Sequence, residues 1–138
     1  MNIRRMAICI AFLSFSYTAV NGASNMPPPP CDPLTVLFAP DSDALDSKAL
    51  VIIAEMTRIA VQRDHEPIDV EAFADVDEAA SVSIKRRRAE SIRARLVLNG
   101  VSANRISIFV MSNPLLPDAK SDMEHAMNRR VQISMCED

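Results

Sequence analysis

The chain has 138 residues, of which 49% are hydrophobic and 24% charged, and this composition is typical of one folded domain rather than of a disordered segment. With 15 basic against 18 acidic residues and only two glycines, it lacks the basic excess of nucleic-acid binders and the repeats of collagen. The length also excludes a TIM barrel or a large dinucleotide-binding enzyme. We expect a single globular domain without a nucleic-acid partner.

The N-terminal segment has the pattern of a secretory signal. Arg4 and Arg5 precede an uncharged apolar stretch, residues 6–20, and small residues follow from Gly22 onward. The stretch is shorter than the ~20 residues that a membrane-spanning helix needs. We therefore predict a signal peptide at residues 1–23, with an uncleaved anchor as the alternative. The exported chain then has no transmembrane segment and begins with a proline-rich linker at residues 24–33.

The remaining segment, residues 34–138, alternates strands and helices. A strand is expected near residues 34–38, then a helix over 48–63 capped by Asp46 or Ser47, and a half-buried strand over 68–75. A second helix over 83–98 ends at Asn99-Gly100, and strands follow at 106–110 and 131–135. The loop between these two strands can hold a short helix capped by Ser121 or Asp122. The order β-α-β-α-β-β predicts a two-layer α+β fold, a small mixed sheet with helices packed on one face.

Asp75 and Arg88 stand out as candidate binding residues. Asp75 ends the second strand, where α/β folds gather ligand groups, and Arg88 lies at the edge of the second helix's apolar stripe. The neighbours of Arg88 in the helix, Lys85, Arg86 and Arg87, can point to water. Together the pair suits a zwitterion, because Asp75 can accept an ammonium group and Arg88 can bind a carboxylate. From these residues alone, an internal Asp75–Arg88 salt bridge is favoured over such a site, since structural ion pairs are common.

The other polar features predict neither catalysis nor metal binding. His65 and His125 occur singly, without the spacing of metal ligands, and Asp75 with Asp77 forms only a loose metal-binding pattern. The sequence contains no Ser-His-Asp or Cys-His set in a recognisable context. The basic residues within 85–95 are interrupted by Glu90 and are typical of a solvated helix face. We therefore expect a protein that is not an enzyme and that needs no cofactor or metal.

Four stretches carry motifs in a fixed order. Residues 36–45 combine a strand that contains Phe38 with a polar loop and Leu45, and residues 68–75 form a strand that ends Ala-Phe-Ala-Asp. Residues 84–89 read Ile-Lys-Arg-Arg-Arg-Ala, and residues 128–133 read Asn-Arg-Arg-Val-Gln-Ile. In this order they resemble the OmpA-like domain, the peptidoglycan-binding module of OmpA, Pal and MotB proteins, in which the last three stretches usually carry Gly-His-Thr-Asp, Leu-Ser-x-x-Arg-Ala and Asn-Arg-Arg-Val-Glu-Ile. The resemblance covers nearly all of the predicted domain and implies its fold.

The resemblance also implies a function and a site. In this family, the Asp that ends the second strand and the Arg of the Arg-Ala motif hold the diaminopimelate of the peptidoglycan stem peptide. Those positions are Asp75 and Arg88 here. The resemblance further places Asp41 and Ser42 in the first loop of the pocket and puts Asn128 and Arg129 near it. The expected function is non-covalent peptidoglycan binding by a soluble periplasmic module, associated with the cell wall or the outer membrane.

The sequence departs from the family around the expected pocket. Ala72 and Ala74 replace the usual Gly and Thr, Glu78 replaces a Gly, and Ser81 stands where Asn is often found. Asp77 and Glu78 add negative charge that can hold an amine or repel a carboxylate. The alternative is therefore a degenerate OmpA-like domain that binds envelope proteins or serves as a structural component of an envelope assembly.

Of the three cysteines, Cys9 lies in the predicted signal peptide, and the two that remain after its removal, Cys31 and Cys136, bracket the predicted domain. In an oxidising compartment this even number favours a disulfide over two free thiols. The family's sheet has its last strand antiparallel beside its first, and this arrangement implies that the two cysteines lie close together.

Overall fold

The structure is a computed structural model that describes residues 31, 33–78 and 81–136. The predicted signal peptide and nearly all of the predicted linker lie outside these residues. Within them, strands and helices alternate in the predicted order. The elements are β1 (Leu34–Leu37), α1 (Ser47–Gln62), β2 (Ile68–Ala72), α2 (Ser81–Leu98), β3 (Ile106–Val110), α3 (Asp122–Asn128) and β4 (Arg130–Ser134), and a short 3₁₀ helix, Ala103–Arg105, precedes β3.

The strands form one mixed sheet in the order β1-β4-β2-β3. β4 pairs antiparallel with both β1 and β2, whereas β2 and β3 are parallel. The parallel pair is connected through α2, as a crossover between parallel strands requires. The last strand therefore lies antiparallel beside the first, as the resemblance implies.

The register of the sheet gathers its apolar residues on one face. Val36 lies opposite Val131, and Val70 opposite Ile133, and all four side chains are fully buried. The alternate positions are mostly polar, such as the partly buried Glu71, although Leu37 and Phe109 on this face are apolar and about half exposed. Helices α1 and α2 cover the apolar face with one buried stripe each, which consists of Ala49, Ile53, Met56 and Ala60 in α1 and of Ile84, Ala89, Ile92 and Leu96 in α2. The predicted two-layer α+β fold is confirmed.

The helix ends follow local sequence signals. Asp46 caps α1, since its carboxylate accepts the Ala49 N–H at 2.8 Å, so that of the two predicted caps Asp46 is the correct one. Beyond α2 the chain turns at Gly100, whose φ of 103° is the left-handed conformation that glycine adopts without strain. Ser121 caps α3 in a reciprocal capping box with Glu124. Among the described residues, no helix has both the length and the apolarity to cross a membrane.

The second strand ends earlier than the sequence pattern predicts. β2 stops at Ala72, and the Phe73 N–H then donates to the carbonyl of Arg130 at 2.9 Å. The predicted alternation would turn Phe73 and Asp75 to water, yet both are buried. Phe73 is covered by the Arg130 guanidinium, which lies 4.4 Å from the ring centroid. The chain therefore leaves the sheet before Asp75 and carries this carboxylate inward.

Cys31 and Cys136 form a disulfide next to the β1–β4 pair. Their Cα atoms are 5.4 Å apart, within the usual range for a bridge. The bond joins the residues just before β1 and just after β4, because these two strands are antiparallel neighbours.

Candidate functional site

A pocket of about 420 Å³ opens at the end of the sheet where β2 finishes and β4 begins. Four segments surround it: the loop after β1, the turn after β2, helix α3 and the junction between α3 and β4. Its wall consists of Pro40, Asp41, Asp75, Asp77, Glu78, Asp122, His125 and Arg129. Of the predicted site residues, Asp41, Asp75 and Arg129 line this pocket, whereas Ser42, Arg88 and Asn128 do not. Arg88 and Asn128 are buried and donate hydrogen bonds to the wall residues Glu78 and Asp75.

Asp75 is a buried carboxylate in the pocket wall, with only 3% of its surface exposed. Its Oδ1 accepts hydrogen bonds from Asn128 Nδ2 at 3.1 Å and from the Val76 N–H at 2.9 Å. Its Oδ2 lies 2.7 Å from Nδ1 of His125 and 3.5 Å from a guanidinium nitrogen of Arg129. Burial raises the pKa of Asp75, but the hydrogen bonds from Asn128, His125 and Val76 outweigh it and hold the pKa below its ordinary value. Asp75 is therefore an anion at neutral pH.

Arg88 lies behind the pocket wall and has no exposed surface. Its NH1 donates to Oε2 of Glu78 at 2.9 Å, and its NH2 donates to Oε1 of the same carboxylate. Its Nε donates to the carbonyl of Ser42 at 2.9 Å, and NH2 also donates to the carbonyl of Ala39 at 3.1 Å. The guanidinium further stacks over Phe38, 5.2 Å from the ring centroid. Arg88 thus holds the loop after β1 against α2.

Glu78 supplies the carboxylate that neutralises Arg88. Its Oε1 also accepts the N–H of Asp41 at 3.1 Å, and its Oε2 the N–H of Asp75 at 3.0 Å. Asp41 has a φ of 51°, a left-handed conformation that Asp adopts more readily than most residues. Burial raises the pKa of Glu78, but the hydrogen bonds from Arg88 and the two backbone N–H groups keep it below its ordinary value.

The ion pairing of the site differs from the arrangement favoured by the residues alone. Arg88 forms its salt bridge with Glu78 and not with Asp75. The contact between Arg88 and a ligand carboxylate stays a prediction, and it would require Glu78 to move away. Lys85 does not point to water, because this residue is buried and its Nζ donates to the Met111 carbonyl at 2.6 Å.

Helix α3 brings two side chains to Asp75. Asn128 is fully buried, and Leu116 fixes its side chain. Its Oδ1 accepts the Leu116 N–H, and its Nδ2 donates to the Leu116 carbonyl, both at 2.8 Å. His125 lies one turn earlier, so it shares a face with Asn128. Sequence reasoning did not select His125 as a site residue. The signal was its three-residue spacing from Asn128, which the resemblance had placed near the pocket.

The pocket is acidic overall. Its wall contains five carboxylates, which belong to Asp41, Asp75, Asp77, Glu78 and Asp122, and its basic groups are Arg129 and His125. One carboxylate oxygen each of Asp75 and Asp77 and one ring nitrogen of His125 lie within 4.8 Å of one another, so these residues could hold a cation. An excess of fixed negative charge in a concave site favours a cationic group over an anionic one.

The chain is similar to known proteins in both sequence and fold. Residues 37–130 match the model of the OmpA family. The C-terminal domain of MotB from Helicobacter pylori is 26% identical, with 78% of this chain and 85% of that chain covered and a TM-score of 0.65. The peptidoglycan-associated lipoprotein from Burkholderia pseudomallei is 18% identical, with coverages of 74% and 89% and a TM-score of 0.68.

A third solved structure is the OmpA-like domain of FopA1 from Francisella tularensis. It is 20% identical, with 72% of this chain and 68% of that chain covered and a TM-score of 0.63. Together with the Burkholderia structure it shows that the fold is shared. No curated protein matches the chain significantly.

Proposed function

Because the chain belongs to the OmpA family, we propose that it is a non-enzymatic cell-envelope module that binds peptidoglycan non-covalently through the diaminopimelate of the stem peptide. The observation that carries the proposal is Asp75, an ionised and buried carboxylate in the wall of an open acidic pocket. The Burkholderia relative is named as peptidoglycan-associated, and the Helicobacter MotB structures include its periplasmic domain. We assign this chain to the periplasm as well, exported by the signal at residues 1–23.

In this proposal, Asp75 receives the ammonium group of diaminopimelate. Asn128 and Arg129 orient the carboxylate, and Asp41 and Asp77 add negative charge at the wall. An ammonium group brings three N–H donors and a charge that this wall complements. Arg88 and Ser42 support the loop beneath the ligand through the hydrogen bond between the Arg88 Nε and the Ser42 carbonyl.

Sedimentation with purified sacculi tests the proposal. The chain, purified from an exporting host under oxidising conditions, is mixed with diaminopimelate-type peptidoglycan and centrifuged. We expect the wild type in the pellet and Asp75→Asn largely in the supernatant. Loss of a hydrogen bond to a charged group costs about 1.5–3 kcal/mol, which weakens binding about 10-fold to 100-fold.

The matched control is Asp64→Asn, which also removes one negative charge. The Asp64 side chain is 86% exposed, and the residue lies before the start of β2, at the end of the sheet opposite the pocket. This variant should pellet with the wild type. Equal sedimentation of Asp75→Asn would overturn the site. A wild type that stays in the supernatant while it is natively folded would overturn the function.

A second candidate function rests on the Arg88–Glu78 pair. Both charges are neutralised inside the chain, and Arg88 has no exposed surface. A domain whose buried arginine is occupied in this way could have lost its wall ligand and serve as a protein-interaction or structural component of an envelope assembly. A folded wild type that does not bind sacculi would favour this second function.

A further inference from the structure

The proposed peptidoglycan site has a carboxylate of its own bound to the buried arginine. We infer that Glu78 determines the ligand selectivity of the pocket: with Arg88 occupied, the pocket takes an ammonium group whose adjoining carboxylate is absent or amidated, in preference to a free amino-acid end. This inference rests on the proposed function, and it names the chemical class of ligand that the same site accepts.

The first step is the occupancy of Arg88. A guanidinium has five N–H donors. The two oxygens of Glu78 and the carbonyls of Ser42 and Ala39 receive four hydrogen bonds from it. No surface of Arg88 is exposed to the pocket or to solvent. A ligand carboxylate therefore finds no free guanidinium edge unless Glu78 leaves.

The second step is the cost of moving Glu78. Its carboxylate holds the Asp41 and Asp75 N–H groups as well as Arg88, and it is 5% exposed. A ligand carboxylate in its place would have to replace all of these bonds, and Glu78 would have to find new ones in a pocket rich in carboxylates. The exchange gains no hydrogen bond and adds the cost of ordering the ligand. The ion pair of Glu78 with Arg88 is therefore favoured over binding of a ligand carboxylate to Arg88.

The third step is the charge that remains around the ligand. Arg129 is matched by Asp75 at 3.5 Å, and its Nε donates to a backbone carbonyl. The carboxylates of Asp41, Asp77 and Asp122 also line the pocket, together with His125. These three carboxylates attract an ammonium group and repel a carboxylate. Because Glu78 occupies Arg88, the arginine offers a ligand carboxylate no compensating contact.

Competition in the sacculus sedimentation assay tests this selectivity. The competing probes are diaminopimelate and its diamide, in which both carboxylates are neutralised. For the wild type, we expect the diamide to release the chain from sacculi at a concentration at least about 10-fold lower, a difference of about 1.4 kcal/mol. The diamide also has a higher net positive charge than diaminopimelate. Variants at two adjacent carboxylates therefore distinguish an effect of Arg88 occupancy from an effect of net charge.

Glu78→Gln and Asp77→Asn form the matched pair. Both remove one negative charge from the same wall, but only Glu78→Gln breaks the ion pair with Arg88, since Asp77 is 79% exposed. We expect Glu78→Gln to bring the two probes to equal potency or to reverse their order, while Asp77→Asn, which removes a wall charge but frees no arginine, narrows the wild-type preference only in part. If both variants shift the preference equally, the selectivity comes from net charge and the role of Glu78 is overturned.

Glu78→Gly adds a readout that does not depend on sacculi. In this variant acetate can take the vacated place at Arg88, so acetate should raise the melting temperature more than chloride does at equal ionic strength. The wild type should show no such difference. The absence of any acetate effect in Glu78→Gly would overturn the claim that Glu78 alone keeps a carboxylate from Arg88.

The remaining outcomes separate the inference from the proposed function. A wild type that prefers free diaminopimelate overturns the selectivity and leaves peptidoglycan binding in place. A wild type that binds sacculi but responds to neither probe overturns the selectivity together with the diaminopimelate contact. A folded wild type that does not bind sacculi at all overturns the proposed function itself.

Discussion

Two buried carboxylates in the pocket stay ionised for different reasons. Asp75 is held by an amide, a backbone N–H and a histidine, whereas Glu78 is held by a guanidinium and two backbone N–H groups. Burial alone would raise both pKa values, and in each case the hydrogen bonds more than reverse that effect. The pocket therefore keeps its fixed negative charge at neutral pH.

A consequence for stability follows from the lowered pKa of Glu78. A carboxyl group whose pKa is lower in the folded than in the unfolded chain stabilises the fold above the unfolded pKa, whose ordinary value is 4.5. That contribution is lost as the pH falls through the folded pKa. We expect the free energy of unfolding of the wild type to fall below about pH 5, and the curve of Glu78→Gln to be flatter there. Urea titrations at several pH values measure both curves.

The control for the acid titration is Asp64→Asn, which changes an exposed carboxylate. The curve of this variant should differ from that of the wild type by less than the curve of Glu78→Gln does. The free energies of the wild type and of Glu78→Gln should converge in acid, because protonated Glu78 no longer pairs ionically with Arg88. Parallel wild-type and Glu78→Gln curves throughout this pH range would contradict the assignment.

Between neighbouring elements, Arg105 connects the end of α1 to the start of β3. Its three nitrogens donate to the carbonyls of Glu66, Ala60 and Arg63, at 3.0, 3.0 and 2.7 Å. The last carbonyls of a helix have no partner inside the helix, so an arginine side chain that reaches them completes the helix end. The turn between α1 and β2 is thereby fixed to the strand that pairs with β2.

Arg105→Met should lower the free energy of unfolding by about 2–4 kcal/mol, because it removes three hydrogen bonds donated by a charged group and leaves carbonyls without their donor. Arg86→Met is the matched control, since Arg86 is exposed on α2, and it should change stability by about 0.5 kcal/mol or less. Urea unfolding at neutral pH measures both variants. Equal stability of the two variants would show that Arg105 does not hold the helix end.

The elements were predictable from sequence where the deciding interactions are local. The cap at Asp46, the turn at Gly100 and the capping box at Ser121 each depend on residues within four positions. The neighbourhood of the last and first strands came from the resemblance, because the pairing of β1 with β4 joins segments almost a chain length apart. No local periodicity specifies such a pairing.

The site was predictable in part for the same physical reason. The motifs that carry the resemblance led to Asp75, Asn128 and Arg129, and the structure brings these three together. The pairing of Glu78 with Arg88 was missed because it depends on how the turn after β2 folds back against α2. Charge alone favoured Asp75 as the partner of Arg88, and only the tertiary arrangement distinguishes the two acids.

Across the whole molecule, the disulfide and the pocket lie at opposite ends of the β1–β4 pair. β1 leads from Cys31 toward the loop that contains Asp41, and β4 leads from Arg129 back toward Cys136. The bond joins residues 105 positions apart and so encloses nearly every described residue. A crosslink of this span acts mainly on the unfolded chain, whose conformational freedom it restricts. Stability and ligand binding should therefore respond differently to its removal.

Cys31→Ser/Cys136→Ser should lower the free energy of unfolding by up to about 4.7 kcal/mol, the loop-entropy value for a closed loop of about 100 residues. Sedimentation with sacculi at a temperature where the variant is folded should match the wild type, because neither cysteine lines the pocket. Urea unfolding with and without reductant measures the change in the free energy of unfolding. Reductant should destabilise the wild type but not the variant. A folded variant that no longer binds sacculi would show that the disulfide shapes the pocket, contrary to this separation.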